Sequence, residues 1–143
     1  MRPTLFLRIA SALTFLHAVA HTLGGVFGKV APGAQQAAVA AMKANQFQVM
    51  GLTRSYWDFN LGEGLGITIM LLVEAVVFWM LASLAKTNAA RLRPIMAAYL
   101  VGYLALAVNS WAYFFLPPVI GEILIALCLG LAILTSRRNA AAA

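Results

Sequence analysis

The chain has 143 residues, of which 63% are hydrophobic and 10% charged, and its mean hydropathy is +0.88. About a quarter of an ordinary soluble domain is charged. This chain therefore lacks the polar residues to cover a water-facing surface, which excludes a soluble enzyme, a disordered tail and a free nucleic-acid binder. Ten Lys and Arg against four Asp and Glu give a net charge of +6, and the basic residues gather at the ends of apolar runs, so the excess reads as membrane topology rather than as a nucleic-acid footprint.

The length fits one membrane domain, 1–143. Four apolar runs are each near the ~20 residues that cross a ~30 Å hydrocarbon core as a helix. They are too long and continuous for barrel strands, and only helices or closed barrels satisfy the backbone in lipid. The expected fold is all-α: four transmembrane helices in a bundle, plus a short interfacial helix. The first run, 4–28, begins like a signal peptide, with Arg2, Arg8 and the Ala18-Val19-Ala20 triplet. Hydrophobicity continues through Val26 and Phe27, so the expectation is an uncleaved first helix.

The outer connection, 29–58, opens on Ala31-Pro32-Gly33. Its 34–50 stretch then reads as a helix rich in Ala, Gln and Met. Val39, Met42, Gln46 and Val49 fall on one side, a modest stripe suited to the bilayer surface; a plain solvated helix is the other reading. Tyr56 and Trp57, between Arg54 and Asp58, make an interfacial anchor. The second helix is expected over 59–84, the third over 92–115 and the fourth over 119–136, with a tight turn at Pro117-Pro118. The single cysteine, Cys128, lies inside an apolar run and packs there.

With the N-terminus inside, the inner side holds Arg2, Arg8, Lys86, Arg91, Arg93, Arg137 and Arg138, and the outer side holds Lys29, Lys43 and Arg54. This favours both termini in the cytoplasm, and the compartment expected is the bacterial inner membrane.

Three of the four acidic residues, Glu63, Glu74 and Glu122, lie inside apolar runs, as do His17 and His21. Charge inside a bilayer costs a few kcal/mol, so such residues mark function by default. Each run also carries a 3-4 spaced stripe. On the first it is Thr14, His17, His21, Gly24 and Gly28; on the second, Asn60, Glu63, Ile67, Met70 and Glu74. On the third it is Tyr99, Gly102, Leu106, Asn109 and Tyr113; on the fourth, Glu122, Ile125 and Leu129. At 1.5 Å per residue, His21, Asn60, Glu63, Asn109 and Glu122 fall within about 10 Å of the outer end, with His17 one turn deeper and Glu74 about 22 Å down. Gly24 with Gly28, and Gly62 with Gly66, read as close-packing pairs.

Three functions fit this pattern. One is a pocket for a lipophilic small molecule (lipid, quinone or isoprenoid), with Glu63 and His21 as a proton-transfer pair and His17, Asn60, Asn109 and Glu122 binding the ligand. Another is a metal site on the His17-x3-His21 pair. The last is structural: the polar groups satisfy one another, in a non-catalytic accessory subunit of a larger membrane complex. The expected partners are membrane lipids and a lipophilic ligand, with homo-oligomers permitted and nucleic acid excluded. The pattern names no reaction and no cofactor.

The His21-Thr22-Leu23-Gly24-Gly25 run, Met50-Gly51 and the run from Arg54 through Ser55-Tyr56-Trp57-Asp58 to Phe59 resemble a family of small bacterial four-helix membrane proteins of unassigned function. The resemblance spans most of the chain and implies four helices and no reaction. Asn60-Leu61-Gly62-Glu63 is similar to the Asn-x-x-Glu element of the membrane-associated eicosanoid and glutathione family. The chain departs from that family at Tyr56, where the family has an arginine. The emopamil-binding sterol-isomerase family is similar in chemistry alone, since its intramembrane His, Glu, Asn and Trp move a proton on a lipid.

Overall fold

The computed structural model describes residues 3–140. It is helical, as expected, and four of its helical segments are long and apolar enough to cross a membrane: Pro3–Val26, Tyr56–Asn88, Arg93–Tyr113 and Leu116–Ser136. They belong to helix α1 (Pro3–Ala20), which continues as a π-helical segment (His21–Val26), and to helices α3 (Tyr56–Asn88), α4 (Arg93–Tyr113) and α5 (Leu116–Ala140), the last running past its span. The first connection holds α2 (Ala34–Ala44) and a hairpin of β1 (Gln46–Val49) and β2 (Leu52–Ser55). The chain forms two compact units. Unit 1 joins the chain up to His17 to the chain from Leu71 onward; unit 2 is Ala18–Met70.

Unit 1 has a core drawn from all four spanning helices. Leu7, Phe78, Met96, Tyr103, Ile125 and Leu129 are fully or almost fully buried there. Small residues let the helix backbones approach: Ala10, Ala82, Ala107, Ala126 and Ala132 are buried as well. Phe78 meets Tyr99 edge-on, with ring centroids 4.9 Å apart. The outward faces are apolar too, with Val76, Val101, Val108 and Leu127 all exposed, which suits a lipid solvent.

That two-sided apolarity corrects the predicted inward stripe on α4. The buried face of α4 is Met96, Tyr103, Ala107 and Ser110, whereas Gly102, Leu106, Asn109 and Tyr113 are exposed. When lipid and core are equally apolar, hydrophobic periodicity does not say which face turns inward. The α5 stripe of Glu122, Ile125 and Leu129 is buried as expected.

Several boundaries also differ from expectation. Pro117 and Pro118 lie in the first turn of α5 rather than in a separate turn, because the first N–H groups of a helix have no intrahelical partner and proline loses nothing there. The helix read over 34–50 ends at Ala44, where the Asn45 side-chain amide donates to the Ala41 carbonyl at 2.8 Å. Gln46-Phe47-Gln48-Val49 then alternates polar and apolar residues, a strand period, and pairs antiparallel with β2 in register Val49↔Leu52 and Gln48↔Thr53. Met50 and Gly51 join the strands with φ of 48° and 81°. Two consecutive left-handed residues are what the type I′ two-residue hairpin loop requires, and glycine supplies one of them without strain.

The α3 helix starts at Tyr56, three residues before the predicted start, because Ser55-Tyr56-Trp57-Asp58 is a capping box. The Asp58 N–H donates to Ser55 Oγ at 3.2 Å, and Asp58 Oδ2 accepts the Ser55 N–H at 2.7 Å. Phe47 of β1 packs on Tyr56 and Phe59, with centroids 5.0 and 5.5 Å apart, and fixes the hairpin to this first turn.

Candidate functional site

The intramembrane carboxyls of unit 1 each meet a hydroxyl from another helix. Glu74, on α3, accepts a hydrogen bond from the Tyr103 hydroxyl of α4 at 2.6 Å, at the short end of the O–H···O range. Tyr103 is 1% exposed, and its oxygen also lies 3.4 Å from Thr14 Oγ1 of α1, which itself donates to the Ala10 carbonyl at 2.9 Å. With each hydroxyl proton committed elsewhere, Thr14 serves mainly to wall in the phenol. Beside this trio runs a groove of about 300 Å³ lined by Glu74, Ala98, Tyr99, Gly102, Tyr103 and Leu106. Gly102 opens it: a Cβ there would meet nothing within 4 Å.

The second carboxyl, Glu122 of α5, is 5% exposed. Its Oε1 accepts a bond from Ser110 Oγ at 2.9 Å, and its Oε2 has no hydrogen-bond partner among the described residues. The residue on α4 that meets it is thus Ser110, one position beyond the predicted Asn109, which is exposed. His17, half-buried on α1, approaches the same end of α5: a Cβ at Gly121 would lie 3.6 Å from His17 Nδ1.

The remaining predicted residues fall in unit 2. His21 opens the π-helical segment, whose widened turn is marked by the Phe27 N–H bonding to the Thr22 carbonyl at 2.9 Å, five residues back. The predicted stripe through His21, Gly24 and Gly28 assumed 3.6 residues per turn and does not hold across this segment. His21 Nε2 lies 3.1 Å from the Gly64 carbonyl. A carbonyl only accepts, so Nε2 carries the proton. Two glycines are crowded here: a Cβ at Gly64 would sit 3.0 Å from Val26 Cγ2, and one at the predicted packing position Gly28 would collide with the Gly24 carbonyl of its own segment. Gly24, Gly62 and Gly66, predicted as packing positions, have nothing within 4 Å of where a Cβ would sit.

Asn60 and Glu63 are exposed, as are Ile67 and Met70, so the predicted inward stripe of α3 lies at the surface in this unit. No hydrogen bond joins His21 to Glu63 among the described residues. Glu63 instead lines a groove of about 420 Å³ together with Arg54, Asp58, Phe59 and Gly62. Among the described residues, no group of three or more His, Cys, Asp and Glu is placed to hold a metal ion.

The Glu74–Tyr103 pair is what sequence reasoning missed as a site. Glu74 was set apart by its depth, and Tyr103 has no polar neighbour in sequence to mark it. Its only signal was spacing: Met96, Tyr103 and Ser110 recur every seven residues, a buried helical face.

The architecture and these two grooves define a chain of four spanning helices that carries carboxyl groups within its apolar segments. Comparison with known protein families, curated proteins and solved structures finds no match.

Proposed function

We propose that this protein is a multi-pass membrane protein that binds a lipophilic small molecule (a lipid, quinone or isoprenoid) in the groove between α3 and α4 of unit 1. The observation that carries this reading is a hydrogen-bonded carboxyl, Glu74, standing beside a groove inside an apolar segment. Ionisable groups in such segments are expensive and face functional surfaces. Tyr99, Leu106 and Ala98 offer apolar contact to a tail or ring, and Glu74 accepts a hydrogen bond from a hydroxyl or amine on the polar end, which for a quinone is the hydroxyl of its reduced form. Tyr103 holds the carboxyl in place. The distribution of Lys and Arg supports both termini in the cytoplasm of a bacterial inner membrane.

A second reading, an accessory subunit of a larger membrane complex, is favoured by a different fact. Glu74 and Glu122 already have hydroxyl partners within the chain, as groups that merely hold helices together would.

Native mass spectrometry of the intact protein in mild detergent separates the two. Binding predicts a stoichiometric lipophilic mass on the wild type, lost in Glu74→Gln and also in Gly102→Leu. Gly102 is exposed and its Cβ position is open, so the leucine occupies the groove and the melting temperature should stay near that of the wild type. The structural reading predicts no groove-dependent mass and a lower melting temperature for Glu74→Gln alone. An identical bound mass in all three proteins overturns the proposal.

A further inference from the structure

A second groove, in unit 2 and independent of the Glu74 groove, has a different chemistry. Its lining combines one guanidinium, Arg54, two carboxyls, Asp58 and Glu63, the apolar ring of Phe59, and Gly62. Arg54 Nη1 donates to the Thr53 carbonyl at 2.9 Å, and Asp58 Oδ2 takes the Ser55 N–H and hydroxyl at 2.7 and 2.9 Å. None of these bonds joins the guanidinium to a carboxyl. The cation keeps donors, and Asp58 Oδ1 and the Glu63 carboxyl keep acceptor capacity, around one space of about 420 Å³. A guanidinium fork matches a phosphate. A carboxyl pair matches a primary ammonium, which brings three donors. The groove thus presents the complement of a molecule carrying both groups a short distance apart.

Its location fits a headgroup. The α3 helix has 33 residues, about 50 Å at 1.5 Å per residue, whereas the hydrocarbon core is about 30 Å thick. About 20 Å of the helix therefore stands outside the core or is taken up by tilt. The groove is lined by Arg54 of β2 and by residues of the first turns of α3, next in the chain to an aromatic pair: Tyr56 is exposed, and Lys43 of α2 lies over the Trp57 ring at 4.9 Å. Trp and Tyr at a helix end mark the headgroup layer. Gly62, with no atom within 4 Å of where a Cβ would sit, keeps the groove open along the helix.

We infer that the Arg54, Asp58 and Glu63 groove binds a phosphate–ammonium zwitterion of the phosphoethanolamine type, with the phosphate on Arg54 and the ammonium between the two carboxyls. Phosphatidylethanolamine meets this demand. Phosphatidylcholine lacks N–H donors, and phosphatidylglycerol lacks the cation and meets two carboxyls instead.

The test uses the full chain in nanodiscs of equimolar phosphatidylethanolamine, phosphatidylcholine and phosphatidylglycerol, read by the lipid retained in native mass spectrometry. Phosphatidylethanolamine should be retained above the other two, and Arg54→Gln and Glu63→Gln should each lower its retention about tenfold, the scale of one lost charge-assisted bond. Both side chains are exposed, so both variants should melt with the wild type. Retention without headgroup preference, preference for phosphatidylglycerol, or preference unchanged in both variants overturns the inference. Added free phosphoethanolamine distinguishes the source. Displacement of the lipid assigns the site to the headgroup chemistry alone, and persistence of the lipid assigns it to the lipid-borne form.

Discussion

In unit 1, side chains from four helices are buried against one another, and the polar residues Ser11, Thr14, Ser110, Glu122 and Ser136 are buried among them. In unit 2 only Ala18 and Ser55 are buried, and order comes from local devices: a capping box, a left-handed two-residue loop, a π-helical segment bonded to the Gly64 carbonyl, and three aromatic rings in contact. The difference shows what each kind of construction is good for. A packed helical core holds a carboxyl such as Glu74 at a set position. A surface assembled from short-range bonds leaves charges such as Arg54 and Glu63 with unused hydrogen-bonding capacity.

That contrast can be broken at defined points. Phe78→Ala should have the largest effect. Lipid is as apolar as the core, so the transfer contribution is small and the cavity contribution remains. For roughly 100 Å³ removed at about 24 cal/mol per Å³, the loss is about 2 kcal/mol, read as a lower melting temperature of the whole protein in detergent. Ser110→Ala comes next. It strips Glu122 of its described hydroxyl partner inside the core and should cost about 1.5 kcal/mol, again as a global loss. If Ser110→Ala melts with the wild type, Glu122 is not held as the geometry indicates.

Met50→Asn should do the reverse and do it locally. Asparagine accepts the left-handed conformation better than methionine, and Asn-Gly is a favoured hairpin loop. It should stabilise the hairpin by about 0.5 kcal/mol, seen as slower amide hydrogen exchange over 46–55 with the global melting temperature unchanged. A global shift from Met50→Asn would mean that the two units unfold together. With the Glu74 and Gly102 variants read by bound mass, and the Arg54 and Glu63 variants read by headgroup preference, each unit then has its own readout.

Composition and run length determined the class of this protein. Four runs near 20 residues, apolar and bounded by Lys and Arg, leave the backbone little choice but helices in lipid, and all four are present. The burial of Glu122 was also legible, since a carboxyl one turn into an apolar helix must find a partner. Its actual partner, Ser110 rather than Asn109, was not legible, because helix rotation depends on which apolar face packs and lipid makes both faces look alike. The same ambiguity hid the Tyr103 bond to Glu74 and turned the Asn60 and Glu63 stripe outward. The π-helical segment escaped the 3.6-residue period used to align His21 with the glycines. The hairpin escaped because Met-Gly lacks the usual loop chemistry, although the Gln46–Val49 alternation was there to read. Sequence alone set what must be buried in a membrane; the three-dimensional packing of helix faces, which periodicity cannot rank when solvent and core are equally apolar, decided which polar groups meet.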